Sequence, residues 1–343
     1  MDASQLASRL ARHPRLELAC LPTPVHPLRR LSAELGGPEI WVKRDDLTGL
    51  GMGGNKARKL ELLCGAAQAD SADTLITVGA GQSNHCRMTA AAGTRLGWPV
   101  HLVLGGEAPT EPAGNQLLSS LFGAELHFAG VTAWDALEVA KDALADELRA
   151  RGRRPFAIPI GGSTPVGAVG FAAAFVELQR QCEAAGLRPR SVVHASSSGG
   201  THAGLLAGRA AVEATGGAVP EIVAFGVAKG ILVDPAYTAE LADATLDLLG
   251  LAEVRVAAGD VHLDGAALGV DYALATPEAD AALVWAARTG GWVLDRVYTA
   301  KALAGLLAMA EDGRWRDGDD VVFWHTGGQP AVFAPGGLPH DLC

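Results

Sequence analysis

The chain has 343 residues, a formal net charge of −10 from 38 acidic against 28 basic side chains, and 49% hydrophobic against 19% charged residues. That length suits roughly two domains of about 150 residues, or one large α/β unit carrying an insertion. The apolar fraction excludes disorder, no apolar run approaches the ~20 residues of a membrane span, and the negative charge opposes attraction to phosphate backbones or anionic lipid; nucleic acid and membrane are not expected partners.

The N-terminal segment MDASQLASRLARHPRLELACLPTPV carries Arg and Ser, but Asp2 and Glu17 break the pattern of a transit peptide and there is no apolar h-region, so it reads as part of the mature chain. Five cysteines (Cys20, Cys64, Cys86, Cys182 and Cys343) form no C-x-x-C pair, which points to a reducing, cytoplasmic setting rather than a disulfide framework or zinc knuckle. The ten histidines show no H-E-x-x-H or comparable ligand spacing, and no metal is assigned.

In chain order, GLGMGGNKARK (49–59) comes first and opens a helix candidate over 55–69. It is not a Walker A loop, because Asn55 separates Gly54 from Lys56 and Ala57 stands where a magnesium-binding Ser or Thr is required. Of six lysines (Lys43, Lys56, Lys59, Lys141, Lys229 and Lys301), Lys56 alone is set in a glycine-rich turn able to bury it. A buried lysine has a lowered pKa and can act as an amine nucleophile or Schiff-base partner; the plainer alternative is a solvated lysine in a first helical turn. The apolar strand DTLITVGA (73–80) hands over through GAGQSNHCR (79–87) to a helix over 83–97. There Ser83, Asn84 and His85, with their amides, could hold a carboxylate or oxyanion, against the alternative of simple capping by Ser83. No G-x-S-x-G elbow supports Ser83 as a hydrolase nucleophile.

WPVHLVLGG (98–106) and RPFAIPIGG (154–162) are further strands, the second leading through IGGSTPVG to a helix over 166–186. RSVVHASSS (190–198) runs into SSSGGTHAG (196–204), where Ser198, Gly199, Gly200 and Thr201 at a helix start form an anion cradle with phosphate as its obvious guest. A tight turn with Ser/Thr capping is the alternative. EIVAFGVA (221–228) and DVVFWHTGG (320–328) complete the strands. The only tyrosines are Tyr237, Tyr272 and Tyr298, and such scarcity invites an acid–base or stacking role, with a core position the alternative. Short apolar strands alternating with helices argue for βαβ units and an α/β fold with a parallel sheet covered on both faces. The glycines, 43 of 343 against a usual ~7%, cluster where strands hand over to helices, at the carboxyl edge where ligands bind. No internal repeat or Pro- or Ser-rich linker divides the chain, so a second domain has to be inserted into the first.

A phosphate cradle, a glycine-set lysine and a carboxylate-type loop on one doubly wound chain are the parts for pyridoxal phosphate chemistry on an amino acid. WVKRDDLTGLGMGGNKARKLE (41–61), GAGQSNHCRMTAAAGTRLG (79–97), SSSGGTHAGL (196–205), LDRVYTAK (294–301) and FWHTGGQPAVFA (323–334) resemble, in order, the motifs of the 1-aminocyclopropane-1-carboxylate deaminase/D-cysteine desulfhydrase family. That family falls among the fold type II, tryptophan-synthase-β-like pyridoxal phosphate enzymes. The resemblance implies two doubly wound domains with twisted, mostly parallel sheets: a large cofactor-binding domain from 1–65 and 161–343, and a smaller inserted one over 66–160. It implies bound pyridoxal 5'-phosphate, a small amino-acid substrate and a homodimer. Residue by residue, Lys56 matches the lysine that carries the cofactor and shuttles the Cα proton, while Ser198, Gly199, Gly200 and Thr201 match the phosphate loop. Asn84 matches the contact to the cofactor's phenolic oxygen and to substrate. Ser83 and His85 match the grip on the substrate carboxylate, Ser83 also with a catalytic role. Tyr298 matches a catalytic tyrosine near the ring, Tyr272 a second active-site tyrosine, and Thr326 the residue beside the pyridine nitrogen.

Thr299, assigned to the substrate, and Thr326 bear on the reaction, because the cyclopropane-opening deaminases resemble V-Y-E-G-K and H-L-G-G at these places. A glutamate near the pyridine nitrogen favours its protonated form and a strong electron sink; a threonine gives a weaker one, sufficient when thiolate leaves Cβ. The expected reaction is therefore α,β-elimination, with D-cysteine giving pyruvate, ammonia and sulfide. Three departures stand out: Arg296 for the proline of D-P-V-Y, Ala300 for the next glycine, and GVDYALATPE in place of G-Y-G-x-P. Were Arg296 beside the substrate, an anionic one would follow, as in L-cysteate sulfo-lyases, the first alternative; 1-aminocyclopropane-1-carboxylate deaminase is the next. A nucleotide-binding or non-catalytic α/β module is the alternative of another class, disfavoured because GAGQSN lacks the third glycine of G-x-G-x-x-G.

Overall fold

A computed structural model describes residues 3–227, 234–270, 272–339 and 342; Asp2, Ala228, Lys229, Asp271 and Cys343, named above, lie outside these. The strands in chain order are β1 (Val25–Pro27), β2 (Glu39–Arg44), β3 (Thr74–Gly79), β4 (Val100–Leu104), β5 (Glu125–Phe128), β6 (Pro155–Ile158), β7 (Ser191–Ser196), β8 (Glu221–Gly226), β9 (His262–Asp264) and β10 (Asp320–His325). They form two sheets, of spatial order β1-β2-β10-β7-β8-β9 and β5-β4-β3-β6, parallel throughout except for the antiparallel β1–β2 pair. Both sheets read as the sequence pattern requires: β3 (TLITVG) and β7 (SVVHAS) are buried at every position, because helices cover both faces of a parallel sheet. The fold is α/β.

The helices begin and end where local chemistry dictates. Helix Pro165–Ala185 starts at Thr164, whose hydroxyl accepts from the Gly167 N–H at 3.1 Å, and stops at Gly186 in the left-handed region at φ +66°. It packs against helix Gly200–Glu213 at very close range. A Cβ added at Gly204 would lie 2.4 Å from the Ala168 carbonyl oxygen, and one at Gly208 would lie 2.7 Å from Phe175 Cβ.

Two features of the topology place the site. β10 returns between β2 and β7, and β6 returns on the opposite side of β3 from β4, so the loops after these strands diverge and leave a crevice at the carboxyl ends. A buried charge network then fixes the helix Lys56–Ala69 that borders the crevice. The Arg58 guanidinium donates to both oxygens of fully buried Asp45, each at 2.8 Å, and to Glu177 at 2.9 and 3.0 Å; Lys43 shares Glu177, and both cations lie near the Trp324 ring. Among the described residues, no helix is long and apolar enough to cross a membrane.

Candidate active site

All four glycine-bearing turns border one crevice. Ser83, Asn84 and His85 reach it from the end of β3, Gly161 from β6, Ser198, Gly199 and Thr201 from β7, and Thr326 with Gly327 from β10. Asn55, Lys56, Tyr272 and Tyr298 also line it.

Lys56 stands where the GLGMGGN turn becomes a helix. A Cβ at Gly53 would come within 1.9 Å of the Asp46 carbonyl oxygen, so only glycine permits this tight return, and φ +77° there adds the second reason. Asn55 ties the turn to two others, its N–H donating to the Thr326 carbonyl at 2.9 Å and its side-chain amide to the Thr201 hydroxyl at 3.1 Å. The Lys56 amine is crowded by protein and open only to the crevice. Burial, reinforced by the buried Arg87 guanidinium and opposed by Asp295, brings it down to about 8. Roughly a tenth of it is then neutral at pH 7. Arg87 also holds the loop itself, donating to the carbonyls of Gly51 and Gly53.

The cradle after β7 is built for an anion. The N-cap residue of helix Gly200–Glu213 is Gly199, at φ +77° and without a capping side chain of its own, and with Thr201 it turns the positive helix end to the crevice. Ser163 Oγ lies 2.8 Å from Ser198 Oγ and accepts from the Gly200 N–H at 3.2 Å. Beneath them is Lys59, 1% exposed, whose ammonium donates to the Gly161 carbonyl at 3.1 Å and to Ser163 Oγ at 3.3 Å. Burial, with Lys56 adding to it, pushes this amine well below its ordinary value. A buried cation whose hydrogen bonds go to neutral oxygens, set beside a helix N-terminus, fits a phosphate group. The sequence reading passed over Lys59, although its spacing of three from Lys56 places both on one helix face.

Opposite lies the turn after β3. Ser83 caps helix Asn84–Leu96, its Oγ accepting from the Cys86 N–H at 3.2 Å, so capping and a place in the lining coexist. Asn84 is oriented by Asn115, whose side-chain amide donates to Asn84 Oδ1 at 2.9 Å, leaving the Asn84 NH2 for a ligand oxygen. His85 lines the crevice as well. Its Nε2 lies 2.9 Å from Thr77 Oγ1, and that hydroxyl already donates to the Ile158 carbonyl, so the ring N–H is on Nε2. Nδ1 is a buried acceptor without a partner, and burial with Lys56 and Lys59 nearby keeps the ring neutral. This ring offers a carboxylate no cation.

Tyr272 and Tyr298 hydrogen-bond to each other through their hydroxyls. Burial pushes Tyr272 up to about 12 and Tyr298 well above its ordinary value, so both keep their protons at neutral pH. Tyr298 is placed by fully buried Asp295, which accepts from the N–H groups of Val297, Tyr298 and Thr299 at 2.9–3.0 Å. Thr299 is not in the lining: its hydroxyl donates to Asp295 Oδ1 at 2.7 Å and accepts from the Asp295 N–H at 2.8 Å. The turn uses that hydroxyl to close on Asp295. Arg296 is likewise directed elsewhere. It pairs with both Asp280 oxygens at 2.6–2.7 Å and clamps the Gly336 and Leu338 carbonyls, so it supplies no cation to the crevice. Thr326 is in the lining, its carbonyl accepting from the Asn55 N–H.

Comparison with known proteins bears on this geometry. The chain matches the pyridoxal-phosphate dependent enzyme family over residues 16–327. A D-cysteine desulfhydrase of Klebsiella pneumoniae (strain 342) is 40% identical over 332 residues, 95% of this chain and 97% of that protein. A Pyrococcus abyssi protein provisionally named a 1-aminocyclopropane-1-carboxylate deaminase is 40% identical over 325 residues, 94% of each chain. The solved structure of an ACC deaminase homologue superposes with a TM-score of 0.88 at 36% identity, covering 98% of both chains. With the family matching over residues 16–327 and relatives matching along nearly its whole length, this chain belongs to the pyridoxal-phosphate-dependent enzyme family and is a pyridoxal-phosphate-dependent enzyme of fold type II.

Proposed function

We propose that this enzyme catalyses α,β-elimination on a small β-substituted amino acid, with D-cysteine the substrate: D-cysteine and water give pyruvate, ammonia and hydrogen sulfide. The observation that carries the reading is the Lys56 amine, lowered to about 8, between an anion cradle on one side and the Ser83–Asn84 turn on the other. The relatives named D-cysteine desulfhydrase support the choice of substrate. Pyridoxal phosphate, when bound, supplies the electron sink for negative charge at Cα. The cradle of Ser198, Gly199, Gly200 and Thr201, with Lys59 beneath it, would hold the phosphate, and Asn84 and Thr326 would border the ring. The Ser83 hydroxyl and the first-turn N–H groups, including that of His85, orient the substrate carboxylate. Lys56 Nζ accepts the Cα proton, and the tyrosine pair, protonated at neutral pH, holds a proton for the departing sulfur at Tyr298 Oη. The reading carries with it a cytoplasmic homodimer and an inserted unit over 66–160, within which all four strands of the second sheet fall.

The relative named as a deaminase keeps cyclopropane opening as the second reading. L-cysteate loses its support, since Arg296 pairs with Asp280. Purified enzyme is to be offered D-cysteine, L-cysteine, L-cysteate and 1-aminocyclopropane-1-carboxylate, with sulfide, pyruvate and 2-oxobutyrate measured. Sulfide and pyruvate from D-cysteine in equal amounts are expected. Faster 2-oxobutyrate release from the cyclopropane substrate overturns the elimination reading.

A further inference from the structure

A second cluster of chemistry-bearing side chains lies outside the crevice, on the edge of the second sheet. The register sets His101 on β4 opposite Glu125 on β5, and Val103 opposite His127. Strand alternation then puts His101, Glu125 and His127 on one face, while Leu102, Leu104, Leu126 and Phe128 on the other face pack into the core. None of the three borders the crevice.

Their donor atoms converge, with Glu125 presenting a different carboxylate oxygen to each ring. His101 Nδ1 lies 3.1 Å from His127 Nε2 and 3.3 Å from Glu125 Oε2, and His127 Nε2 lies 3.4 Å from Glu125 Oε1. An ion about 2.0–2.1 Å from each donor sets donors about 3.3–3.4 Å apart in a tetrahedron and about 2.9–3.0 Å apart at right angles. The three distances fall across that range. Two neutral rings bring at most two N–H groups to these three contacts, so protons alone do not account for all of them. The rings stack at a centroid distance of 5.4 Å, and the side chains are 13%, 65% and 29% exposed for His101, Glu125 and His127, which leaves a path for an ion from solvent.

We propose that His101, Glu125 and His127 form a binding site for a divalent transition ion of the zinc type, which fastens the edge strand β5 to β4, with solvent completing the coordination. Two imidazoles and one carboxylate suit zinc, cobalt or nickel rather than magnesium or calcium, which prefer all-oxygen sets.

The test is zinc and cobalt titration of the holoenzyme by calorimetry, alongside thermal unfolding with and without zinc, for the wild type, His127→Gln and Glu125→Gln. One ion per chain is expected, with affinity at least about tenfold weaker in His127→Gln, as loss of a direct ligand costs no less than the roughly 10–100-fold effect of losing a second-layer partner. Zinc should raise the unfolding temperature of the wild type and not of His127→Gln. Unchanged visible absorption of the bound cofactor in each variant verifies folding. The absence of zinc and cobalt binding, or equal stoichiometry and affinity in all three proteins, overturns the proposal.

Discussion

Replacing Asp295 by Asn separates the role of its charge from that of its shape. Its Oδ1 accepts from the Thr299 N–H at 3.0 Å and the Thr299 hydroxyl at 2.7 Å, and its Oδ2 from the Val297 N–H at 3.0 Å and the Tyr298 N–H at 2.9 Å. If the new NH2 took the Oδ2 place, two backbone donors would face a donor. In the Oδ1 place only the Thr299 N–H would, because the Thr299 hydroxyl can turn to accept, so this second orientation is preferred. One buried donor left unmatched costs about 1–3 kcal/mol, and loss of a carboxylate at the start of helix Thr299–Glu311 about 0.3–1 kcal/mol more. At about 2 °C per kcal/mol the unfolding temperature should fall by roughly 3–8 °C. The charge has a second reader. Asp295 raises the Lys56 pKa, so Asp295→Asn should move the titration of that amine further below about 8. Thermal unfolding by circular dichroism, and the pH profile of amine acylation in cofactor-free protein, measure the two effects. An unfolding temperature within 1 °C of the wild type, with an unmoved acylation profile, would refute the assignment of Asp295 as the positioning group for Tyr298.

Other outcomes follow from the same geometry. In cofactor-free wild type, acylation of Lys56 should inflect near about 8 rather than at the ordinary lysine value, and Lys56→Ala should show no visible absorption from lysine-bound cofactor. Lys59→Met removes a buried amine that donates to the Gly161 carbonyl and Ser163 Oγ beneath the cradle, so affinity for pyridoxal phosphate, read by fluorescence titration, should fall roughly 10–100-fold. Arg58→Met leaves Asp45 and Glu177 without their cation and should cost about 3–5 kcal/mol in denaturant unfolding. The Arg58 and Lys43 cations overcome burial and hold the Glu177 carboxyl down to about 2. Its stabilisation is thus full above the ordinary value of 4.5 and lost as pH falls through that value toward 2, and Glu177→Gln should flatten this acid limb of the unfolding curve. Thr299→Val should lower stability by about 1–3 kcal/mol through its lost bonds to Asp295, whereas Thr326→Leu, in the lining, should act on turnover of D-cysteine.

Much of the fold was legible in the chain because the signals are local. Strands predicted over 73–80, 98–106, 154–162, 190–198 and 320–328 appear as Thr74–Gly79, Val100–Leu104, Pro155–Ile158, Ser191–Ser196 and Asp320–His325, and helices over 55–69, 83–97 and 166–186 appear as Lys56–Ala69, Asn84–Leu96 and Pro165–Ala185. Central parallel strands are apolar on both faces, and glycine turns announce their carboxyl ends. The three-residue strands β1 and β9 are too short to carry such a pattern; their pairing to neighbours makes them strands.

The sequence by itself determined the elements, the glycine turns and which residues stand at strand ends, since each depends on residues a few positions apart. Only the tertiary structure decided which of those residues share a crevice and in what state. Lys59 entered the phosphate cradle because helix Lys56–Ala69 meets the turns after β6 and β7, contacts about a hundred residues distant in the chain or more. Thr299 turned away from the crevice because Asp295 accepts its hydroxyl, and Arg296 because helix Pro277–Gly290 presents Asp280 to it. The neutral ring of His85 and the lowered amine of Lys56 are products of desolvation, and burial is a property of the packed molecule rather than of any motif.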